Sequence, residues 1–525
     1  MNVAPLLAAA AVAQLQPNNN PVANGRLDQA TPAPLVVPRE RPKKAVVTVG
    51  PGTTITAIRF VGSDAPAAVV AAATPFVGQQ ASQANLIELA GAISTAFEQT
   101  DIALYSIAIP DQDFHDGIVV VDLTDGWVDK VDVGGIAGPN RLVGNRARRL
   151  IGEKPLTRHR LERQMALIQA IPGLHADLSY DNPEGDDSVA IIGSGRQDRF
   201  QVAAGINNRG PHLLGSTILQ AGVDAFSALV DGDQASASVY ATPDFRHFRA
   251  FNLVYTTPIG IDGLALSASA GKIATRARDL DIKGKATFAG MSLSYAAIRS
   301  AHEAMDVSLG VDGVNSDNAL FGNLFTTERT RAVRLAAAFA QSRGPTDLQL
   351  AASLSHGLGI FGARADATGG QTGFFKANAS ASLEHRFTPQ FIGRLLAAAQ
   401  ITGNRLPGTE LFSVGGPAIG RGFDTGIVSG DSGIGGLAEL AFRPIEDGNF
   451  AKSEVYGFTD SARVRTHARL GAPGQSFSLA SAGAGVRVNF KDKMQFGLEA
   501  AAILERPTPA VRKDYRLTFA YSIKF

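Results

Sequence analysis

The sequence predicts a transmembrane β-barrel of about 16 antiparallel strands that follows two small α+β domains. Three observations carry this prediction. Beyond about residue 200, apolar side chains recur with a period of two. Before that point, one β-α-α-β-β order of elements occurs twice in tandem. The chain also finishes on an amphipathic strand whose last residue is the aromatic Phe525.

Composition limits the classes of protein that the chain can represent. Its 525 residues carry a net charge of +1, so no general electrostatic field favours nucleic acid, and we expect no nucleic-acid partner. The absence of cysteine excludes thiolate metal sites and disulfides. The nine histidines show no metal-binding spacing, and no phosphate-binding loop motif occurs, so we expect no metal and no cofactor.

The N-terminal segment predicts export followed by a flexible spacer. Residues 1–13 are apolar and end in an A-x-A pattern before Gln14, which predicts a signal-peptide remnant. A disordered alanine-rich tail is the alternative, because no basic region precedes the apolar stretch. Residues 14–52 contain seven prolines and predict an extended linker.

Residues 53–126 predict the first α+β domain. We expect a strand over 53–61, helices over 66–74 and 83–99, and strands over 103–109 and 117–123. The second helix is the best defined, because apolar residues recur every three or four positions. These are Leu86, Leu89, Ile93 and Phe97.

Residues 127–196 repeat the same order and predict the second α+β domain. A strand is expected over 127–133, and the two helices over 141–151 and 157–170. Thr157 is a suitable N-cap for the second helix. Strands over 175–180 and 188–192 complete the unit. Two small sheets would leave edge strands free to take up an extended peptide by strand addition.

Residues 197–525 predict the barrel. Large apolar residues lie on one face of each strand, and small, polar or charged residues lie on the other. In 305–312, for example, Met305, Val307, Leu309 and Val311 alternate with Asp306, Ser308, Gly310 and Asp312. The final strand, 515–525, would alone fit a soluble sandwich equally well. An open sheet this long in lipid would leave unsatisfied backbone groups, each costing several kcal/mol, so closure is expected.

A glycine-rich segment, Leu411–Gly433, is the strongest local signal. It holds seven glycines, which indicates tight turns with positive φ, and one cation, Arg421. If the segment folded into a barrel lumen, Arg421 would need a carboxylate partner. Asp460 is the candidate, because it shares one strand face with Phe458. The alternative is an exposed surface loop with a solvated arginine.

These motifs resemble those of the haemolysin activation/secretion family, the outer-membrane transporters of two-partner secretion. The family's sixth-loop motif, GG followed by V/L-R-G-Y/F, is matched by Gly415, Gly416, Arg421, Gly422 and Phe423. Its barrel-wall motif F-x-D-x-G is matched by Phe458 and Asp460. Two positions depart from the pattern: Gly420 stands where the family has Val or Leu, and Ala462 replaces the motif's glycine.

The resemblance also covers the N-terminal domains and a late strand. Residues 109–113 with Gly117 resemble a motif of the first POTRA domain, a small periplasmic domain of these transporters. Pro155 and the pair Pro172–Gly173 resemble marks of the second. Residues 479–485 resemble a late strand of the family's barrel.

The resemblance implies a pore in the outer membrane with two POTRA domains in the periplasm. These domains would recognise an unfolded, exported partner of the large β-helical haemolysin, adhesin or toxin type. The barrel would face outer-membrane lipid, and its last strand, ending at Phe525, would be recognised by the barrel assembly machinery. A factor that assembles other barrels, and a passive porin or adhesin, are the alternatives.

One short motif could suggest an enzyme, and we interpret it as coincidental. Gly430–Gly433 resembles the nucleophile motif of trypsin-like proteases, but Ile434 follows where a second glycine is required. No histidine and aspartate occur in the contexts that this chemistry needs. We therefore expect a transporter and not an enzyme.

Overall fold

The computed structural model describes residues 53–138, 141–181, 188–278, 281–321, 323–365, 369–469 and 472–525. The predicted signal-peptide remnant, 1–13, and the predicted linker, 14–52, lie outside the described residues. The described chain forms two compact units that adjoin in sequence at Asp198 and Arg199. Among these residues, no helix is long and apolar enough to cross a membrane.

The first half of the N-terminal unit is a three-stranded sheet with two helices. Its elements are β1 (Ala57–Gly62), α1 (Ala67–Ala73), α2 (Gln83–Phe97), β2 (Tyr105–Ala108) and β3 (Ile118–Asp125). The sheet order is β1-β3-β2, with β1 parallel to β3. The apolar face predicted for α2 is buried in the core.

The first strand begins later than predicted. Residues 53–56 are extended, but their backbone bonds to the segment that follows α1 rather than to the sheet. The amide of Ile55 donates to the carbonyl of Gln79 (2.8 Å), and that of Ala81 donates to Thr53 (2.7 Å). The Thr- and Ile-rich pattern therefore marks an extended segment whose first half lies outside the ladder.

The second half of this unit repeats the arrangement. It contains β4 (Trp127–Ala137), α3 (Arg141–Ala147), α4 (Arg158–Gln169), β5 (Leu174–Asp181) and β6 (Ser188–Gln197). The sheet order is β4-β6-β5, again with the first strand parallel to the last. Helix α3 is shorter than predicted, because the chain continues as a 3-10 turn.

Helix α4 is capped by a different residue from the one predicted. Thr157 occupies the N-cap position, but its side chain makes no capping hydrogen bond. Asp101 serves instead: its carboxylate accepts the amide of His159 (3.1 Å), and its carbonyl accepts the amide of Arg158 (2.5 Å). Sequence spacing gave no signal for a cap supplied from more than fifty residues away.

Sixteen antiparallel strands close the C-terminal unit into a barrel, as predicted. The strands, with two short ones in a loop, are β7 (Phe200–Asn207), β8 (Ile218–Phe226), β9 (Gln234–Ala241), β10 (Phe248–Ile259), β11 (Leu264–Arg276), β12 (Ile282–Arg299), β13 (Glu303–Leu320), β14 (Asn323–Arg343), β15 (Thr346–Gly357), β16 (Phe375–Arg386), β17 (Phe391–Thr402), β18 (Phe412–Val414), β19 (Val428–Gly430), β20 (Ser432–Phe442), β21 (Glu454–Thr466), β22 (Gln475–Phe490), β23 (Met494–Glu505) and β24 (Tyr515–Lys524). Strands β18 and β19 pair only with each other, and β17 is followed in the barrel by β20.

The predicted alternation of side chains holds along the barrel. In β24, Tyr515 is 69% exposed and Leu517 is 59% exposed, whereas Thr518, the residue after Leu517, is 2% exposed. In β13, Leu309 is 56% exposed on the outer face. Many polar and charged side chains on the inner face bind one another or a loop in the lumen, as Arg334 binds Asp312 of the wall and Glu410 of the loop. The apolar residues therefore point outward, where a lipid-facing surface is expected.

We expect Leu309→Arg to lower the free energy of unfolding of the barrel by about 2–4 kcal/mol, the cost of a cation on a lipid face near the middle of the membrane. Leu309 lies on the outer face, whereas the neighbouring Ser308 lies on the inner one, so Ser308→Arg is the matched control and should cost much less. Denaturant titration of the barrel in lipid vesicles measures both. Equal costs for the two variants would contradict a lipid-facing outer surface.

The barrel closes at a short seam between its first and last strands. Five register pairs join β24 to β7, from Ala520 opposite Asn207 to Lys524 opposite Ala203, whereas eighteen pairs join β13 to β14. The side chain of Asn208 extends the seam: its Oδ1 accepts the amide of Phe519 (2.8 Å), and its Nδ2 donates to the carbonyl of Leu517 (3.0 Å).

Candidate functional site

The long connection between β17 and β20 folds back into the barrel. This β17–β20 loop, residues 403–431, contains the predicted glycine-rich segment and the β18–β19 hairpin. Its apolar side chains pack against inward-facing residues of the wall and are withdrawn from water. The loop side chains in this cluster are Phe412, Val414, Ile419, Phe423 and Val428, and the wall residues include Ala398, Ala462, Val464 and Leu479.

Arg421 lies near the tip of this loop and is 11% exposed as a side chain. Its Nη1 donates to Glu439 Oε2 (2.7 Å) and to Glu499 Oε2 (3.2 Å). Its Nε donates to the loop's own Pro417 carbonyl (3.0 Å). The guanidinium carbon lies 4.7 Å from the centroid of the Phe458 ring, within the range of a cation–π contact. Arg421 is therefore not a solvated surface cation.

Asp460 contacts the loop, but not through the guanidinium that the sequence suggested. Its Oδ2 accepts the backbone amide of Arg421 (2.9 Å), and its Oδ1 accepts the Ser481 hydroxyl (2.7 Å). Ser481 Oγ in turn accepts the amide of Gly422 (3.1 Å). The wall motif thus fixes the backbone at the loop tip, whereas two other carboxylates neutralise the arginine side chain.

Those carboxylates belong to a charged network that the sequence analysis missed. Glu439 accepts from three guanidinium groups, those of Arg394, Arg421 and Arg487, each at 2.7 Å. Glu454 pairs with Arg394 at 2.9 Å and with Arg487 at 2.5 Å. The only sign of this network in the sequence is that charged residues occupy inward-facing positions of the alternating strands. Sequence cannot say which of these charges meet, because cross-barrel neighbours are distant along the chain.

The loop turns use glycine where the backbone requires it. Gly415 and Gly416 have φ of 101° and 114°, and Gly420 has φ of 83°. A Cβ on Gly420 would also lie 3.0 Å from the Gly415 Cα. Gly420, which departs from the family motif, is therefore in a conformation that a β-branched residue would adopt only with strain.

The second departure, Ala462, is accommodated by its neighbour across the strands. Ala462 lies opposite Gly435 in the β20–β21 register. A Cβ on Gly435 would lie 2.9 Å from the Ala462 Cβ and 3.0 Å from Ile419 of the loop. The small residue needed under the loop is thus supplied by Gly435 of β20 instead of by position 462.

No group of three or more His, Asp or Glu residues in the described part of the chain is arranged to hold a metal ion. The charged side chains of the lumen bind one another and the loop. The chemistry that this site supports is reversible holding of a loop by ion pairs and hydrogen bonds.

A closed 16-strand barrel whose own arginine-bearing loop occupies the lumen defines a class of outer-membrane transport proteins. Within that class, residues 186–488, more than half of the chain, match the family model for the haemolysin secretion/activation proteins ShlB, FhaC and HecB. The chain belongs to this family of two-partner secretion transporters, which act in the outer membrane as secretion pores for a partner protein.

Solved structures agree with the fold. CdiB from Escherichia coli superposes with a TM-score of 0.73 at 18% identity, with 94% of each chain covered. CdiB from Acinetobacter baumannii gives 0.67 at 17% identity, covering 100% of this chain and 99% of the other. BamA from Haemophilus ducreyi lacking POTRA domains 1–3 is more distant, with 0.53 at 14% identity, covering 89% and 99%. No curated protein sequence matches the chain.

Proposed function

We propose that the chain exports one large, secreted β-helical partner through its barrel, with the β17–β20 loop as the element that occupies the pore between transport events. The observation that carries this proposal is the docking of Arg421 against Glu439 and Glu499 in the lumen of a barrel of this family. A passive porin has no need of such a loop lock, and nothing in the site suggests enzymatic chemistry.

We further propose that residues 53–126 and 127–196 are two POTRA domains in the periplasm that receive the partner. Two repeated three-stranded sheets with paired helices support this division. Each sheet has two edge strands, for example β2 and β5, where an extended polypeptide could add as a further strand. A partner that arrives unfolded suits that mode, because its backbone groups are free to pair.

The proposal extends to the surroundings of the barrel. The outer face would contact outer-membrane lipid, which the exposed apolar residues of β13 and β24 support. The last strand, with Phe525 as its final aromatic residue, would be the segment that the barrel assembly machinery recognises. The motif residues Gly415, Gly416, Arg421, Gly422 and Phe423, with Phe458 and Asp460 on the wall, would form the pore-gating site.

The test is export of the large protein encoded by a neighbouring reading frame. In cells that produce both proteins, we expect the partner at the cell surface, and we expect deletion of residues 53–196 to reduce it to the level of cells without the chain. The barrel of the deletion variant should still insert, which its gel mobility before and after heating reports. Undiminished function after the deletion would favour a passive porin or adhesin over the proposed transporter.

A further inference from the structure

The β17–β20 loop is fixed to the barrel at two buried carboxylates, one near each end. Glu410 is fully buried, and it pairs with Arg334 Nη2 and Lys376 Nζ, both at 2.8 Å. Arg334 is 5% and Lys376 is 1% exposed. Neither Glu410 nor the second carboxylate, Asp431, belongs to the family motif or contacts Arg421.

Asp431 fixes the other end. Its side chain is also fully buried and accepts the amides of Leu406 and His467, both at 2.7 Å, and Arg469 Nη2 at 2.8 Å. Gln400 of β17 connects the two ends, because its Nε2 donates to the carbonyls of both Glu410 (3.2 Å) and Asp431 (2.9 Å). We call Glu410 and Asp431 the loop feet.

The chain between the feet, residues 411–430, holds itself together; we call it the loop lobe. Strands β18 and β19 pair, and the hydroxyls of Ser413 and Ser429 lie 2.5 Å apart across them. Backbone hydrogen bonds close the turns, with the amide of Gly415 donating to Ile419 (3.0 Å) and that of Gly426 donating to Gly415 (3.2 Å). The lobe therefore has internal structure that does not depend on the wall.

The lobe tip and the Glu410 foot bind different arcs of the barrel. Glu410 binds charged residues of β14 and β16, Asp431 binds residues of the segment that follows β21, and the lobe tip binds residues of β20 to β24. The tip contacts include Arg421 with Glu439 of β20 and Asp424 with Arg516 of β24 (2.6 Å). The Asp424–Arg516 pair at the tip is more accessible than the Arg334–Glu410 pair of the foot, since the side chain of Asp424 is 29% exposed and that of Glu410 is 0% exposed. Less buried, more solvated contacts separate more readily.

We propose that Glu410 and Asp431 are positioning residues that stay attached during transport, so that the lobe leaves the wall as one piece and breaks its tip ion pairs and its apolar contacts with the wall, but not the contacts of the feet. This inference rests on the proposed function. It specifies which segment of the loop moves and where the moving segment is hinged. An internal hairpin that stays paired would also let the lobe return to one docked geometry after each passage.

Pairs of introduced cysteines test this directly, because the sequence contains no cysteine of its own. Thr330→Cys/Thr409→Cys joins a foot to β14, where the two hydroxyls lie 3.0 Å apart. Ser413→Cys/Ser429→Cys joins the two strands of the lobe. Gly422→Cys/Ser481→Cys joins the tip to β22, where a Gly422 Cβ would lie 2.9 Å from that of Ser481. Mass spectrometry verifies each disulfide.

Export is then measured with each full-length variant oxidised and after reduction. We expect the foot and lobe disulfides to leave export at its reduced level, and the tip disulfide to stop export until it is reduced. If the foot disulfide stops export, the feet must move and the inference is overturned. If a verified tip disulfide has no effect, the lobe does not leave the wall and the inference is again overturned.

Failure of the proposed function has a different signature, because then no variant exports the partner in either redox state. The reduced Gly422→Cys/Ser481→Cys variant could itself fail to export the partner. In that case Asp424→Cys/Arg516→Cys, joined by a short bifunctional thiol reagent, replaces it as the link between tip and wall. Loss of export on linking then supports the inference, and unchanged export overturns it.

Glu410→Gln tests the positioning role through a measurement that would not change if Glu410 only stabilised the fold. With a foot loosened, we expect more frequent openings of the purified pore in planar lipid bilayers. Asp312→Asn is the matched control, since Asp312 pairs with the same Arg334 (2.5 Å) but belongs to the wall strand β13. Equal opening frequencies in the two variants would contradict a positioning role for Glu410.

Discussion

Arg421→Ala is expected to reduce export of the partner by about tenfold or more, since loss of only about 1.4 kcal/mol from loop docking changes its equilibrium tenfold. The substitution removes the ion pairs with Glu439 and Glu499 and the cation–π contact with Phe458. A lobe without these contacts would not return to its docked geometry between transport events, so the transport cycle would be impaired. Quantitative surface immunoblotting of the partner measures the loss.

The barrel itself should tolerate this substitution. Glu439 keeps Arg394 and Arg487, and Glu499 keeps Arg209 at 3.2 Å, so no buried carboxylate is left unpaired. Insertion and heat-dependent gel mobility should therefore match those of the native chain. Arg421→Lys should give an intermediate loss, because lysine keeps the charge but not the planar set of donors. Native export by Arg421→Ala would exclude a role for this arginine in the transport cycle.

The same experiment applies to the wall partner. Asp460→Ala leaves the Arg421 amide and the Ser481 hydroxyl without their acceptor, so export should fall as well. Asp460→Asn is the matched control, because an amide oxygen can still accept one of these hydrogen bonds. Since Asp460 binds the backbone amide of residue 421 and not the guanidinium, the loss should not depend on the guanidinium. An Arg421→Lys background that abolished the effect of Asp460→Ala would contradict this division of roles.

The largest effect on stability is expected for Glu410→Ala, which should lower the free energy of unfolding of the barrel by about 3–5 kcal/mol. The cost arises from a buried cation left without its carboxylate. Arg334 retains Asp312, so the penalty falls mainly on Lys376, whose ammonium pairs with Glu410. Urea unfolding in detergent, followed by the gel mobility of the folded and unfolded forms, measures it. The single tryptophan, Trp127, lies outside the barrel and would not report on it.

A double variant separates the contribution of the Lys376–Glu410 charges to stability from that of side-chain packing. Lys376→Met/Glu410→Gln removes both charges and keeps similar volumes, so it should cost less than Glu410→Ala alone. If the double variant is the less stable of the two, the ion pair contributes net stability of its own, and the reasoning from an unpaired cation is wrong.

The sequence predicted the barrel well, because its signal is repeated. Period-two alternation over more than 300 residues fixes which face of each strand is apolar, and closure in lipid follows from the backbone. Helix α2 was predicted for a similar reason, since four apolar positions at helical spacing define one buried face. The start of β1 was predicted too early, and Thr157 lies at the predicted N-cap of α4 without its side-chain hydrogen bond, because both details depend on groups that meet only in the folded chain.

The candidate site could be predicted only where the chain carries a local motif. The glycines around Arg421 indicated a strained, specific loop, and the alternation in β21 placed Asp460 on the correct face. The true partners of the guanidinium, Glu439 and Glu499, lie on two other strands. Their proximity depends on barrel closure and strand register, which side-chain patterns do not specify. The feet were missed for the same reason.

The seam between β7 and β24 has a consequence for biogenesis. Its register pairs join residues more than 300 positions apart, so closing it carries nearly the whole loop-closure entropy of the domain for a small number of hydrogen bonds. We therefore expect β7 and β24 to pair late in folding, after the other strands of the barrel have formed. A chain truncated before Tyr515 would lack the strand that closes the barrel, and it would face the bilayer with two open sheet edges.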